Sequence, residues 1–371
     1  MSRNDKGWKN RKLRMLLLSV AVAFATFGAW AKARAQSQVA VDPHIQIVVD
    51  LVQLNVAVTD NKGNYVTGLR PEDFVITEDG IPQKVATFGE GNEVGRKVGD
   101  APSEGTAMAG DANQGSDSGQ RVTTRDLSAL VAGANVFVLF DTSNYMYRGF
   151  VFAQDAISEF IRSLETADRI AFYSYSRDLS RAALLTADRT VILRGVRSTV
   201  AGDDAALYNC LLLTVKDAAK VQGRKVVVVF SNGPDNSSMV PPEDVAELAQ
   251  STGTAIYMIS TSQAQLEPIS TAVFERMTAA TGGKAYFARS WRDEKQAFAS
   301  IRDDLAHLYS LSYYPQPNPN RGWRTIKVRL VSDRMKKYHI RTRDGYRLQP
   351  FRFSAERVPT PVDGATQQRR Q

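Results

Sequence analysis

Two stretches of the chain set small oxygen-bearing side chains directly after an apolar run. "VFVLFDTSNYMYRGF", residues 136–150, passes from Phe140 into Asp141, Thr142 and Ser143. "VVVVFSNGPDNSS", residues 226–238, ends in Ser231, Asn232, Asp235, Asn236, Ser237 and Ser238. Carboxylate and hydroxyl oxygens gathered in this way suit a hard cation such as Mg²⁺, which takes oxygen ligands in near-octahedral geometry. Other chemistries lack their parts. No G-x-x-x-x-G-K-[ST] loop is present to cradle a phosphate, and no G-x-S-x-G elbow to present a nucleophile. The histidines, His44, His307 and His339, fall outside both stretches. With a single cysteine, Cys210, they give neither a zinc ligand set nor a nucleophile–base pair. Cys210 sits in "ALYNCLLL" and reads as a small buried hydrophobe on a helix. The expectation is a chain that is not an enzyme.

The elements that deliver these residues form an alternating series. Short continuous apolar runs occur at 134–140, 169–176, 225–231, 254–260 and 284–289. Continuous rather than alternating hydrophobicity predicts strands covered on both faces, as in a parallel sheet. Helical patterns separate them. Phe150, Ala153, Ile157, Phe160, Ile161 and Leu164 make one stripe. "PPEDVAELAQSTG" opens with prolines and acids and closes on Gly253, a clear start and stop. Residues 128–312 are therefore expected to be a doubly wound, Rossmann-like α/β domain. In such sheets ligands bind outside the carboxyl ends of the strands, where both oxygen-rich tips would lie.

On either side the pattern is β. Residues 36–90 alternate, and "DFVITEDGIPQKVATF" holds two short strands around Asp79-Gly80, a hairpin signal. Residues 313–350 alternate Ile326, Val328 and Leu330 with Lys327 and Arg329. Neither flank has enough strands to be stable alone. The two are expected to meet as one antiparallel, sandwich-like unit with the α/β domain inserted. Residues 91–127 are rich in Gly, Ala, Ser and Asp without an apolar period and read as a flexible linker. Residues 351–371 read as a disordered tail.

The N-terminus explains the charge. Residues 1–35 hold a basic segment, an uncharged run from Met15 to Trp30, and small-x-small positions in "AKARAQ": the parts of a secretory signal peptide. The apolar run is shorter than the roughly 18 residues of a comfortable membrane span, so no stable span is expected after cleavage. The chain has 47 basic and 39 acidic residues, of which this segment holds eight and one, leaving 39 against 38. The net charge of +8 is thus mostly an export feature, and no nucleic-acid partner is expected. The protein is expected to be exported, to the periplasm or beyond the cell.

"FVLFDTSNYM", "GDDAALYNCLL", "VVVVFSNGPDNSS" and "MTAATGGKAYF", in this order, resemble the landmarks of von Willebrand factor type A (VWA) domains. With "GLRPEDFVITEDGIPQKVATF" before and "YSLSYYP…GWRTIKVRL…RDGYRL" after, the chain is similar to the exported bacterial "VWFA-related" proteins over about residues 45–348. The resemblance implies a metal-ion-dependent adhesion site of pattern Asp-x-Ser-x-Ser, a Thr in a later loop and an Asp after the fourth strand. Asp141 and Ser143 match. Tyr145 stands for the second serine, Ala205 for the threonine and Asn232 for the last aspartate. The pattern is degenerate, and metal-independent protein contact is expected, with Tyr145, Tyr147 and Asp235 on the contact surface and no cofactor. Met146, like the matching family residue, is expected in the core. The alternative keeps Mg²⁺ or Mn²⁺ on Asp141 and Ser143, with Asp204 or its neighbour Asp203 as substitute carboxylate. In either case the expected partner is a protein or a cell-surface ligand. A further alternative is attachment to an anionic polymer through the basic residues between Arg321 and Arg343.

Overall fold

The continuous apolar runs become strands, and those in the middle of the sheet are shielded from water. The computed structural model describes residues 51–91, 96–98, 133–164, 169–261 and 268–348. The leader, the tail and most of the 91–127 segment lie outside the described residues. The central sheet has β6 (Ala134–Asp141), β7 (Arg169–Tyr175), β8 (Leu179–Thr186), β9 (Arg224–Ser231), β10 (Thr254–Ser260) and β11 (Ala285–Phe287). Their order is β11-β10-β9-β6-β7-β8, with all pairs parallel except β7–β8. Every residue of β6 and β10 is buried. The apolar-run criterion misses β8. It is an antiparallel edge strand that is buried only at Ala183, and the polar Ser180 and Arg181 interrupt its apolar residues.

Helices cover both faces. On one lie α1 (Phe150–Ser163), α2 (Arg189–Arg197) and α6 (Trp291–His307). The predicted stripe of α1 packs there, with Ile157 and Ile161 against Val136, Val138 and Phe140. On the other lie α3 (Leu207–Ala218), α4 (Pro242–Thr252) and α5 (Pro268–Thr281). Cys210, Leu211 and Phe274 pack there against Phe137, Val227 and Met258. Gly253 closes α4 at φ +68°, a conformation only glycine adopts cheaply. Gly283 is fixed by space, since a Cβ there would lie 1.8 Å from the Ile256 carbonyl oxygen.

The flanks meet. β1 (Val52–Thr59), β4 (Val85–Glu90), β5 (Arg96–Lys97), β12 (Tyr309–Tyr313) and β14 (His339–Arg341) form a five-stranded antiparallel sheet in the order β14-β1-β12-β4-β5. β2 (Phe74–Glu78), β3 (Ile81–Gln83), β13 (Trp323–Leu330) and β15 (Gly345–Arg347) form a second, β15-β13-β2-β3. Val52 faces Tyr313, and Val328 faces Ile76. Leu54, Val56, Ile76, Leu311 and Ile326 share one core between the sheets. Each such side chain, fully buried, contributes about 1.5–3 kcal/mol. The hairpin at Asp79-Gly80 has both residues at positive φ, 49° and 84°, as a two-residue turn requires. Two boundaries move. β12 straddles position 312 and pairs with β1 and β4, so the α/β domain hands over near Leu308. β5 falls inside the expected linker and pairs with β4.

The α/β domain and the sandwich are joined by buried charge. Asp304, on α6 and fully buried, accepts from Tyr65 Oη at 2.9 Å, Tyr257 Oη at 2.5 Å and Arg341 Nη2 at 2.6 and 2.5 Å. Arg343 donates to the carbonyls of Gln250, on α4, and Gln53, on β1. Within the sandwich, buried Glu78 accepts from Tyr313, Tyr346 and Arg324. Arg324, Arg341 and Arg343 thus turn inward. That corrects the reading of the 321–343 basic residues as one exposed polyanion-binding row.

Candidate functional site

β6 ends on Asp141 in the middle of the sheet, where neighbouring strands shield it completely. Its Oδ1 accepts the Ser143 N–H at 2.9 Å and its Oδ2 accepts from Ser231 Oγ at 2.8 Å. Tyr175 Oη donates to Ser231 Oγ at 3.0 Å, extending the chain of bonds to β7. Burial raises the Asp141 carboxyl above the ordinary range, opposed by the bonds from Ser143 and Ser231. Ser143 Oγ is buried without a hydrogen-bond partner. Thr142 is turned away, donating from Oγ1 to the Tyr175 carbonyl at 2.8 Å. Met146 lies in the core, as the resemblance implied.

The tip loops are tied to one another by backbone and carboxamide groups. Gly202 N–H donates to the Thr142 carbonyl at 2.7 Å, and Asn144 N–H to the Asp203 carbonyl at 2.9 Å. Asn232 is nearly buried, donating from Nδ2 to the Tyr145 carbonyl and accepting at Oδ1 from Thr261 Oγ1. Ala205, fully buried, gives its N–H to Asn236 Oδ1 at 2.9 Å. Its carbonyl accepts from the N–H groups of Asn236 and Ser237 at 3.1 Å.

The two other carboxylates singled out from the sequence do not converge on Asp141. Asp204 pairs with Arg177 at 3.2 Å on the surface, while Asp203 is exposed. Asp235, expected on the contact surface, is half-buried and engaged in local hydrogen bonds. Its Oδ2 accepts the Tyr208 N–H at 3.0 Å, in the first turn of α3. Its Oδ1 accepts from Ser237 and Ser238 N–H. Among the described residues no three His, Cys, Asp or Glu side chains are grouped for a metal ion. Tyr145 is half-buried, whereas Tyr147 is 62% exposed. Cys210 is buried and its thiol is pushed up to about 12, chiefly by burial, so it is no ready nucleophile. His307 stacks on Tyr65 at 4.9 Å, and His339 is exposed on β14.

The sequence reading missed a set of exposed apolar residues at this end. Val151 and Phe152 on α1, Val200 in the α2–α3 loop, Met239 in the β9–α4 loop, Ile269 on α5 and Trp291 on α6 are all exposed. A signal for two of them existed. Val151 and Phe152 are apolar at positions off the α1 stripe, where a surface helix ordinarily carries polar residues.

No curated protein matches the chain. Among solved structures, the conserved hypothetical protein BatB from Bacteroides thetaiotaomicron matches with 14% identity and TM-score 0.39, covering 46% of this chain and 98% of that one. The vWF domain of the type V pili tip protein Mfa5 from Porphyromonas gingivalis matches with 11% identity and TM-score 0.41, over 46% and 94%. A von Willebrand factor type A structure from Catenulispora acidiphila gives 12% identity and TM-score 0.40, over 57% and 67%. Residues 135–300, the stretch holding both oxygen-rich tips, match the family model of the von Willebrand factor type A domain, and the chain carries a VWA domain there.

Proposed function

We propose that this is an exported, non-enzymatic binding protein whose VWA domain makes metal-independent contact with another protein through its strand-tip face. The observation that carries this reading is the distribution of exposed apolar groups. Of the twelve large apolar side chains exposed among the described residues, seven lie at that face: Tyr147, Val151, Phe152, Val200, Met239, Ile269 and Trp291. Met239 is 90% exposed. Exposed apolar patches with aromatic anchors mark interaction sites. The donor set argues in the same direction. A tyrosine ring at position 145 cannot offer its oxygen where a serine would, Ala205 offers none, and Asn232 has both ends of its carboxamide engaged. Those residues do not fit an octahedral oxygen cage. Export rests on the character of residues 1–35.

One observation favours the alternative, a Mg²⁺ or Mn²⁺ site: Ser143 Oγ is buried and unpartnered beside Asp141. A thermal melt decides between them. A cation at one hundred times its Kd stabilises the native state by about 2.7 kcal/mol, roughly 5–10 °C for a domain of this size. The expected shift between 5 mM MgCl₂ or MnCl₂ and EDTA is below 1 °C. A shift of several degrees would overturn the metal-independent reading. Once a partner is in hand, Tyr147→Ala with Phe152→Ala should leave the melt unchanged and weaken binding at least tenfold, as loss of an aromatic anchor does. Unchanged binding would remove the tip face from the interface.

A further inference from the structure

Where the family pattern implies three ligand positions, this chain has Tyr145, Ala205 and Asn232, and the structure gives each of them another task. We propose that Asn232 and Asn236, both in the β9–α4 loop, are neutral struts that hold the tip loops together in place of a cation. This rests on the metal-independent reading and names the residues that make it physically possible.

The chemistry at position 232 is selective. The Tyr145 carbonyl can only accept, and the Thr261 hydroxyl is here a donor. A bridge between them needs one donor and one acceptor on the same short side chain, which a carboxamide has and a carboxylate lacks. Aspartate, the residue of the family pattern, would set an anionic oxygen against the Tyr145 carbonyl. Asparagine joins the loop after β6 to the loop after β10. Asn236 does the corresponding work on the other side. Its Oδ1 takes the Ala205 N–H at 2.9 Å, and its own N–H returns to the Ala205 carbonyl at 3.1 Å. That reciprocal pair joins the loop before α3 to the loop after β9. Ala205 needs no oxygen on its side chain, because its backbone is the part that is held. A cation would gather these loops only when bound. The struts gather them at any cation concentration, so the apolar face is preformed for its partner.

Two substitutions separate the struts from mere packing. Asn232→Asp keeps the shape and removes the donor. Asn236→Asp keeps the acceptor that Ala205 needs, whereas Asn236→Leu removes it. Amide hydrogen exchange on the full chain reads the loops directly. Asn144 N–H crosses to the Asp203 carbonyl of another loop, so its protection reports closure. Asn232→Asp should speed its exchange about tenfold or more, as should Asn236→Leu at Ala205, and 5 mM MgCl₂ should not reverse either change. Asn236→Asp should stay within about twofold of the wild type. Exchange unaltered by Asn232→Asp and Asn236→Leu overturns the strut assignment while leaving the metal-independent reading intact. Wild-type loops that gain protection with Mg²⁺ over EDTA overturn that reading itself. Restoration of the Asn232→Asp loops by Mg²⁺ overturns the inference alone, since it would mean the remaining oxygens still form a cation cage.

Discussion

Replacing Asp304 by asparagine tests whether the VWA domain and the sandwich are one cooperative structure. Asp304 has no exposed surface and receives four hydrogen bonds, two of them from Arg341 on β14. The near-isosteric amide keeps the volume and removes the charge. The Arg341 guanidinium then faces a neutral group, and one of the two tyrosine hydroxyls meets an NH₂ instead of an acceptor. Removing one partner of a buried ion pair costs about 3–5 kcal/mol. The Arg341 side chain is 27% exposed, so water relieves part of its loss, and the expected cost is near the lower end, about 3 kcal/mol. For a domain this large that is roughly 6–12 °C of melting temperature. Differential scanning calorimetry with far-UV circular dichroism should show one transition before and after, displaced downward. Combining Asp304→Leu with Arg341→Met should recover part of the loss, because no charge is left buried and unpaired. A fall below 1 °C, or a wild type that melts in two separate transitions, would refute the reasoning that this cluster joins the two parts.

Glu294, in the first turn of α6, is held up to about 7 from an ordinary 4.5, first by burial and then by the neighbouring Asp293 charge. The folded state binds the proton more tightly, so this group lowers stability as pH rises from about 4.5 to 7, and the deficit is complete above 7. The full linkage is roughly 3 kcal/mol, cut to about 1 kcal/mol by the partial exposure of the side chain. Glu294→Gln should therefore raise the melting temperature at pH 8 and leave it unchanged at pH 4, and equal effects at both would contradict this. Asp235→Ala should cost about 1–2 kcal/mol, as loss of a helix-capping carboxylate does, without weakening partner binding. A binding defect at unchanged stability would return Asp235 to the contact surface.

The α/β core was legible because its signal is local. Val226 to Phe230 are apolar without interruption, and a run of that kind has only one comfortable place, between two layers of helices. The Asp79-Gly80 turn was equally plain, since backbone sterics leave few alternatives there. The tip was legible in its absences. Tyr145, Ala205 and Asn232 could be compared with a pattern, but nothing in the string of letters says that Asn232 reaches Tyr145 and Thr261. Those contacts join loops far apart in sequence. The bonds of Asp235 were hidden for a similar reason. Nothing in the sequence of that loop says that the N–H of Tyr208, in the first turn of α3, comes to its carboxylate. β8 and the exposed apolar residues of the tip escaped because exposure is a property of the assembled fold.

The position of the sandwich bears on what the tip can do. Helices that follow parallel strands run back, so their last turns lie at the amino ends of the strands. Several ties to the sandwich are at that end, while Arg347 of β15 also reaches Glu247 midway along α4. Asp304 is in the last turns of α6, Gln250 is near the end of α4, and Arg224, the first residue of β9, donates to the Gly91 carbonyl at 3.1 Å. Among the described residues, the flanking strands thus meet the VWA domain chiefly at the end away from Asp141 and not at the strand-tip face. A partner meeting Tyr147, Phe152 and Met239 would approach a surface carried on a rigid pedestal. This ties the functional reading to the fold. On the proposed reading the buried ion pairs hold the pedestal and the carboxamide struts hold the face, and neither would require a cation.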